Sequence, residues 1–304
     1  MHVYASRSCP VCATSADSAQ VFLSANLDAE RINEFSYASR KIPEYMNHNL
    51  VRCLTCDLVY ANKPPERDEL SNAYHAADYD SSEEADDAAA AYLTALRPVL
   101  DQLRSRSAAL EIGTGTGVLL DLLQSAGFTT LVGIEPSISA IASAPPHRQV
   151  WIKQGVFEDQ QFEPESFDLV CCFMTMEHVL DPKVIADAVL HLLRPGGAFV
   201  TVTHDYHSRV NRILGKRSPI IDIEHMQLFS EGSITELFMR SGYERISVRR
   251  FKNCYAVSYW WRLMPVPAAV KKACASILAI TRIGRLKTSI NVGNTLSVGF
   301  KPMG

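Results

Sequence analysis

The sequence predicts an α/β protein: a mostly parallel sheet of seven strands, covered on both faces by helices. A small cysteine-bearing module precedes it, and a helical, aromatic insertion stands before its last strand. Three observations carry this prediction. From residue 108 onward, short runs rich in Val, Ile and Leu alternate with amphipathic stretches, the pattern of a parallel sheet buried on both sides. A glycine-rich turn, "GTGTG" at 113–117, closes the first of those runs. Two C-x-x-C pairs, "CPVC" at 9–12 and "CLTC" at 53–56, lie ahead of it.

Each element has its own signal. "AALEI" reads as the first strand and "GVLLDLLQSAG" as a helix closed by Gly127. "TLVGIE", "QVWIKQG", "SFDLVCCF" and "GAFVTVTH" are the next four strands. Between the last two, "PKVIADAVLHLLRPGG" is a helix ending in a Pro-Gly-Gly turn. "EGSITELFMRSGY" is a further helix, and "ERISVRRF" and "TLSVGFKP" are the final strands. An insertion over 254–292, opening with "YAVSYWWRLMP", separates these two. The acidic run "DYDSSEEADD" at 78–87 and the helical "AAAAYLTALRPVL" after it place a domain boundary near residue 80. The chain therefore divides into a cysteine module with its linker, 1–80, and a sheet domain, 81–304.

The glycine turn sits where a doubly wound sheet binds its ligand, past the carboxyl end of the first strand. Glycines 113, 115 and 117 follow G-x-G-x-G spacing. A dinucleotide fingerprint needs its third glycine where Val118 stands, and a P-loop needs a Gly-Lys-Ser/Thr that is absent. Glu135 ends the second strand, a position from which a carboxylate accepts both ribose hydroxyls of an adenosine. The four cysteines of the two pairs suit a tetrahedral thiolate site for structural zinc. A redox pair would start a helix inside a βαβ unit, and neither pair has that setting. A zinc there would hold together a module too small for a large core of its own. Cys171 and Cys172 fall within a strand and read as core; Cys254 and Cys274 carry no signal.

Taken in order, "LEIGTGTGVLL", "VGIEPS", "FDLVCCFMTMEHVLDP" and "LLRPGGAFVTV" resemble the class I S-adenosylmethionine-dependent methyltransferases over about residues 105–250. The resemblance implies a Rossmann-like methyltransferase sheet. It also implies that the segment of Glu111, Gly113, Thr114, Gly115 and Gly117 holds the methionine part of the cofactor, and that Glu135, with Pro136 beside it, holds the ribose. "QGVFEDQQF" matches the adenine loop, often written with Asp where this chain has Val156; Val156 and Phe157, with Phe173, complete that end. A four-cysteine module ahead of such a domain is similar to the zinc-binding sugar methyltransferases. In that group an "EH" precedes an aromatic-Ser pair, matched here by Glu224, His225, Phe229 and Ser230. Tyrosines after the module are matched by Tyr74 and Tyr79. The sugar C-methyltransferases of the group carry a further large C-terminal domain, and the sequence stops short of one. O-methylation of a sugar, oligosaccharide or glycosylated small molecule is therefore the leading expectation.

Methyl transfer to an alcohol needs a proton acceptor, and a histidine oriented by a carboxylate supplies one. His225 is the candidate base, with Glu224 and His178 beside it. Along an extended segment, Glu224 and His225 point to opposite sides while Asp222 and Glu224 share one. Glu177, His204, Asp205 and Tyr255 are candidate substrate contacts.

Charge bounds the partners. The chain totals −3, but residues 245–304 hold 11 Lys and Arg with no Asp or Glu. The acidic remainder argues against nucleic acid, as does "FMTMEH" where base-methylating enzymes carry an Asn/Asp-Pro-Pro-Tyr/Phe motif. The basic tail suits an anionic acceptor or a peripheral membrane contact. The start, "MHVYASRSCP", lacks a basic-then-apolar pattern, and the longest apolar run in the tail, "ACASILAIT", is too short to span a bilayer, so a cytoplasmic protein is expected. Three further readings are weighed: sugar C-methylation, RNA methylation, and a non-catalytic cofactor-binding module.

Overall fold

The computed structural model describes residues 6–33, 36–37, 44–77, 82–264, 266 and 268–304. Tyr79 lies outside them. In chain order the elements are β1 (Gln20–Leu23), β2 (Leu50–Arg52), β3 (Val59–Ala61), α1 (Arg67–Ala76) and α2 (Ser82–Leu100). Then come β4 (Ala108–Ile112), α3 (Val118–Ser125), β5 (Thr130–Glu135), α4 (Ile138–Ser143), α5 (Pro146–Gln149) and β6 (Ile152–Gln154). They are followed by β7 (Phe167–Phe173), α6 (Pro182–Leu192), β8 (Leu193–His204), α7 (Arg209–Leu214) and β9 (Gln227–Leu228). The last are α8 (Glu231–Ser241), β10 (Glu244–Ala256), α9 (Val257–Leu263), α10 (Ala268–Thr281) and β11 (Lys287–Phe300).

The seven strands expected from the apolar runs form one sheet in the order β10-β11-β8-β7-β4-β5-β6. Pairing from β6 through β8 is parallel; β11 runs antiparallel to both its neighbours. Every residue of β4 and of β7 is buried, which is why both read as apolar runs, each interrupted by one acid, Glu111 or Asp168. On one face Leu96, Leu119, Leu123 and Phe251 pack with Leu169 and Val200. On the other, Leu192, Ile234 and Phe238 pack with Leu110, Val170 and Phe199. Asp168 pins the strand starts: its Oδ2 accepts from the amides of Ser107 and Ala108 at 2.8 and 2.9 Å and from Arg194 at 2.9 Å.

Three local expectations are corrected. The strand at "QVWIKQG" shrinks to three residues, because Pro146 starts a short helix that uses the residues before it. The Pro-Gly-Gly after α6 belongs to β8, since the helix stops at Leu192. The insertion is also narrower than 254–292. β10 and β11 continue pairing out to Ala256 and Lys287, so a long hairpin carries α9 and α10 at its tip.

The N-terminal module forms a second sheet, β1-β2-β3-β9. Its last member comes from far along the chain, pairing Val59 with Leu228 and Tyr60 with Gln227. Cys9, Val11, Leu58 and Tyr60 share a continuous core with Val170, Phe199 and Phe238. Arg7 staples the same junction: Nε donates to the Ala61 carbonyl at 2.8 Å, one terminal nitrogen to Leu180 at 2.5 Å and the other to Met226 at 3.3 Å.

Candidate active site

A cavity of about 650 Å³ opens past the carboxyl ends of β4, β5 and β7 and runs under α1 and the insertion. At one end stands the glycine turn. Gly113, Gly115 and Gly117 all have positive φ, at 76°, 56° and 70°. A β-carbon on Gly113 would come within 2.2 Å of Thr175 Oγ1, whereas one on Gly115 would meet nothing within 4 Å. Gly115 thus borders open space that a ligand can fill, while Gly113 permits close packing of the turn. Thr114 Oγ1 donates to Glu111 Oε2 at 2.5 Å, fixing that carboxylate at the cavity wall. Glu135 accepts from the Gly115 amide at 2.7 Å and the Ser137 amide at 2.9 Å. Burial pushes the Glu135 carboxyl up, and these two amide bonds oppose that shift. Pro136, Val156, Phe157 and Phe173 also line this end. Gly117 does not; it is the left-handed cap that starts α3.

The other end gathers Tyr74, His178, His204, Glu224 and His225. The segment carrying the last two is not extended. The His225 amide donates to the Asp222 carbonyl at 3.2 Å, closing a turn. Side-chain alternation is therefore lost, and Asp222, Glu224 and His225 all reach the cavity. His225 Nδ1 lies 2.8 Å from the Ile220 carbonyl. A carbonyl only accepts, so Nδ1 holds the hydrogen and the neutral ring carries its lone pair on Nε2. That Nε2 is 4.0 Å from Glu224 Oε1. On the opposite side His178 Nδ1 lies 3.8 Å from Glu224 Oε2 and 3.2 Å from the Tyr74 oxygen. The Tyr74 hydroxyl donates to the Glu224 carbonyl at 3.0 Å, which locks the turn from α1. One carboxylate thus stands between two imidazoles whose rings are 4.9 Å apart.

His204 presents its ring 5.6 Å from that of His225. Its Nδ1 lies 2.7 Å from Asn294 Oδ1, and Asn294 in turn donates to Asn253 at 2.9 Å. Burial, then the neighbouring His225, drives the His204 imidazole down to about 3, so it is neutral at pH 7. Tyr255, Tyr259 and Trp260 wall this end; Tyr255 is 4.5 Å from Tyr259 and 5.2 Å from Trp260 between ring centroids.

Two expected substrate contacts do not line the cavity. Glu177 is wholly buried, accepts from the His204 amide at 2.6 Å, and offers its own carbonyl to Met226 at 2.8 Å. It braces the β7, β8 and 226 segments from behind. Asp205 accepts from the His207 amide at 2.9 Å and pairs by backbone with Phe229, away from the cavity. Asn253 and Asn294 were missed. The sequence carries little signal for them: Asn253 sits in a strand rich in Arg and Lys, and Asn294 shares its strand with Asn291.

The four cysteine sulfurs converge. Cys9 and Cys56 are 3.4 Å apart, as are Cys12 and Cys53, and all four lie within 4.8 Å of one another. These separations are too long for disulfides and suit thiolates around one tetrahedral ion.

A parallel sheet with a glycine turn and a ribose-height acid past its carboxyl edge defines an adenosine-type cofactor fold. The chain belongs to the methyltransferase-domain family, whose model matches residues 82–248. It is 34% identical over 133 residues to a ubiquinone biosynthesis O-methyltransferase of Xylella fastidiosa, covering 40% of this chain and 52% of that protein. A protein of the same name from Serratia proteamaculans is 28% identical over 109 residues, covering 34% and 42%. The chain thus spans about half the length of the curated relatives it matches. Among solved structures, a SAM-dependent methyltransferase of Thermotoga maritima aligns with TM-score 0.48 and 19% identity, over 72% of this chain and 91% of that one. Phosphoethanolamine N-methyltransferase 2 of Haemonchus contortus aligns with TM-score 0.46 and 15% identity, over 69% and 52%.

Proposed function

We propose that this chain transfers the methyl group of S-adenosylmethionine to a hydroxyl of a small-molecule acceptor, with His225 taking the proton. The observation that carries the reading is the His225 tautomer. Nδ1 is committed to the Ile220 carbonyl, and Nε2 faces the cavity beside Glu224. When bound, the sulfonium cofactor supplies an electrophilic methyl carbon with an excellent leaving group. Glu111, the 113–115 turn, Glu135 and the Val156–Phe157 loop would hold it. The chain's own work is alignment and proton handling. Glu224 stabilises the imidazolium that forms on His225, while Tyr74 fixes the backbone of Glu224 through its carbonyl and His178 stands on the carboxylate's other side. His204, neutral, offers a polar contact at the acceptor end without competing for the proton.

A sugar, oligosaccharide or glycosylated acceptor fits the mix of Asn253, Asn294 and His204 with the aromatic wall of Tyr255, Tyr259 and Trp260. The name of the Xylella relative supports hydroxyl methylation. In the same proposal, Cys9, Cys12, Cys53 and Cys56 hold one structural zinc. The test is incubation of the protein with methyl-labelled cofactor and a panel of glycosides and free phenols. A methyl ether on a glycoside hydroxyl supports the proposal. A methyl group on carbon, or label found only on phenols, overturns the assigned atom or the acceptor class.

A further inference from the structure

We propose that the helical tip of the β10–β11 hairpin, together with the α7 segment, docks on an anionic lipid surface through exposed isoleucines set among cations that pair with no acid among the described residues. This goes beyond the methyl-transfer reading and does not depend on which acceptor is used.

The apolar side is unusual for a water-facing helix. Ile277 is 59% exposed, Ile280 83%, Ile283 47% and Leu286 62%. Val270, Ile277 and Ile280 follow helical spacing and fall on one flank of α10. The helix is held by its other side: Trp261 Nε1 donates to the Lys271 carbonyl at 3.1 Å, and Leu278 packs against Gly284. Across the cavity, Ile213 on α7 is 84% exposed. α7 borders the cavity through Val210 and Leu214, and the hairpin that carries α10 borders it through Met264 and Ile290 at either end of its helical tip.

The charges carried by these two segments themselves have one sign. The insertion's Arg262 and Lys287 are used internally, paired with Glu84 and Asp87 on α2. Lys271, Lys272, Arg282 and Arg285 have no acid within ion-pair reach among the described residues. The same holds for Arg209, Arg212, Lys216 and Arg217. No Asp or Glu occurs in 206–221 or 245–304. Apolar side chains that penetrate the headgroup layer, framed by cations that meet anionic lipid, are the two components of interfacial binding. At 14 residues, α10 is too short to cross a bilayer and suited to lying along one. A second copy of the chain is a poor occupant, since an isologous contact would set these cations against themselves. Nucleic acid would leave the isoleucines without a role.

The experiment is sedimentation of the full chain with vesicles of phosphatidylcholine alone and of phosphatidylcholine mixed with phosphatidylglycerol. Binding to the mixed vesicles only, released by high salt, is expected. Ile277→Glu/Ile280→Glu and Lys272→Glu/Arg282→Glu should each weaken it by about tenfold or more. Calorimetric affinity for S-adenosylhomocysteine should be unchanged in both, which also verifies that they fold. Absence of sedimentation with the mixed vesicles at low salt overturns the proposal. Loss in the charge variant but not in the isoleucine variant reduces it to diffuse attraction and overturns the inserted stripe. A dimer by light scattering that the isoleucine variant dissociates, without vesicle binding, makes the face a contact between copies. Methylation of a soluble acceptor without vesicles reads the proposed activity separately from any of these outcomes.

Discussion

In the proposed reaction His225 acts through a single nitrogen, so removing the ring isolates that role. His225→Ala should lower kcat by roughly 10²–10⁴-fold, the usual scale for a general base. The Kd for S-adenosylhomocysteine should stay within about twofold, because His225 sits at the acceptor end. Unchanged turnover would return the turn at 222–225 to a structural part. Glu177 makes a different kind of prediction. Burial pushes its carboxyl up to about 7, against an ordinary value of 4.5. Between those two pH values the unfolded chain has released the proton while the folded chain keeps it. Stability is therefore fully present below about pH 4.5 and is lost as pH rises to about 7, by on the order of 3 kcal/mol at most. Glu177→Gln should flatten that slope, raising Tm relative to the parent progressively over the same window. Equal slopes in both proteins would show that the carboxyl ionises freely when folded. The residue types at the acceptor end were legible in "MEH" and "IEH", since ionisable groups inside apolar runs need a reason. Their facing was not. Glu177 and His178 are neighbours, yet one turns into the core and the other into the cavity, and only the turn geometry separates them.

Strands and helices were mostly readable because burial on both faces writes a simple pattern. β4, β5 and β7 match the apolar runs that announce them. What escaped was pairing between remote segments. Nothing in "QL" marks β9 as a strand; it becomes one only because β3 offers it an edge. That edge ties the cysteine module to Met226, next to His225, the proposed base. Cys53→Ser should lower zinc content in elemental analysis and reduce kcat more than it changes cofactor Kd. A fall in cofactor affinity with kcat intact would show that the cluster supports the wrong end of the site. The glycine turn is the second element-scale test. Gly113→Ala places a methyl group on Thr175 in a left-handed backbone, so cofactor binding and Tm should both fall, by about 1–3 kcal/mol in stability. Gly115→Trp meets no atom of the protein but must take a left-handed backbone, so Tm should fall less than in Gly113→Ala while cofactor binding in calorimetry is abolished.

Across the whole molecule, the two charge anomalies of the sequence answer each other in part. The start of α2 supplies Glu84 and Asp87, and the insertion supplies Arg262 and Lys287. Composition displayed both blocks, but their meeting depends on a hairpin whose length no periodicity revealed. These pairs are partly exposed and salt screens them, so they contribute little to stability. Glu84→Lys should therefore leave Tm nearly unchanged yet raise acceptor KM at low salt, with the difference fading as salt rises. A KM that ignores both the substitution and the salt would mean the pairs do not hold the insertion over the cavity. The β3–β9 pairing carries a last consequence, for biosynthesis. β3 leaves the ribosome about 170 residues before its partner. At ordinary translation speeds it waits roughly ten to thirty seconds with an open hydrogen-bonding edge. The nascent chain must keep that edge from other strands until Leu228 emerges, and production at low temperature or with abundant chaperones should raise soluble yield more here than for a methyltransferase sheet without the module.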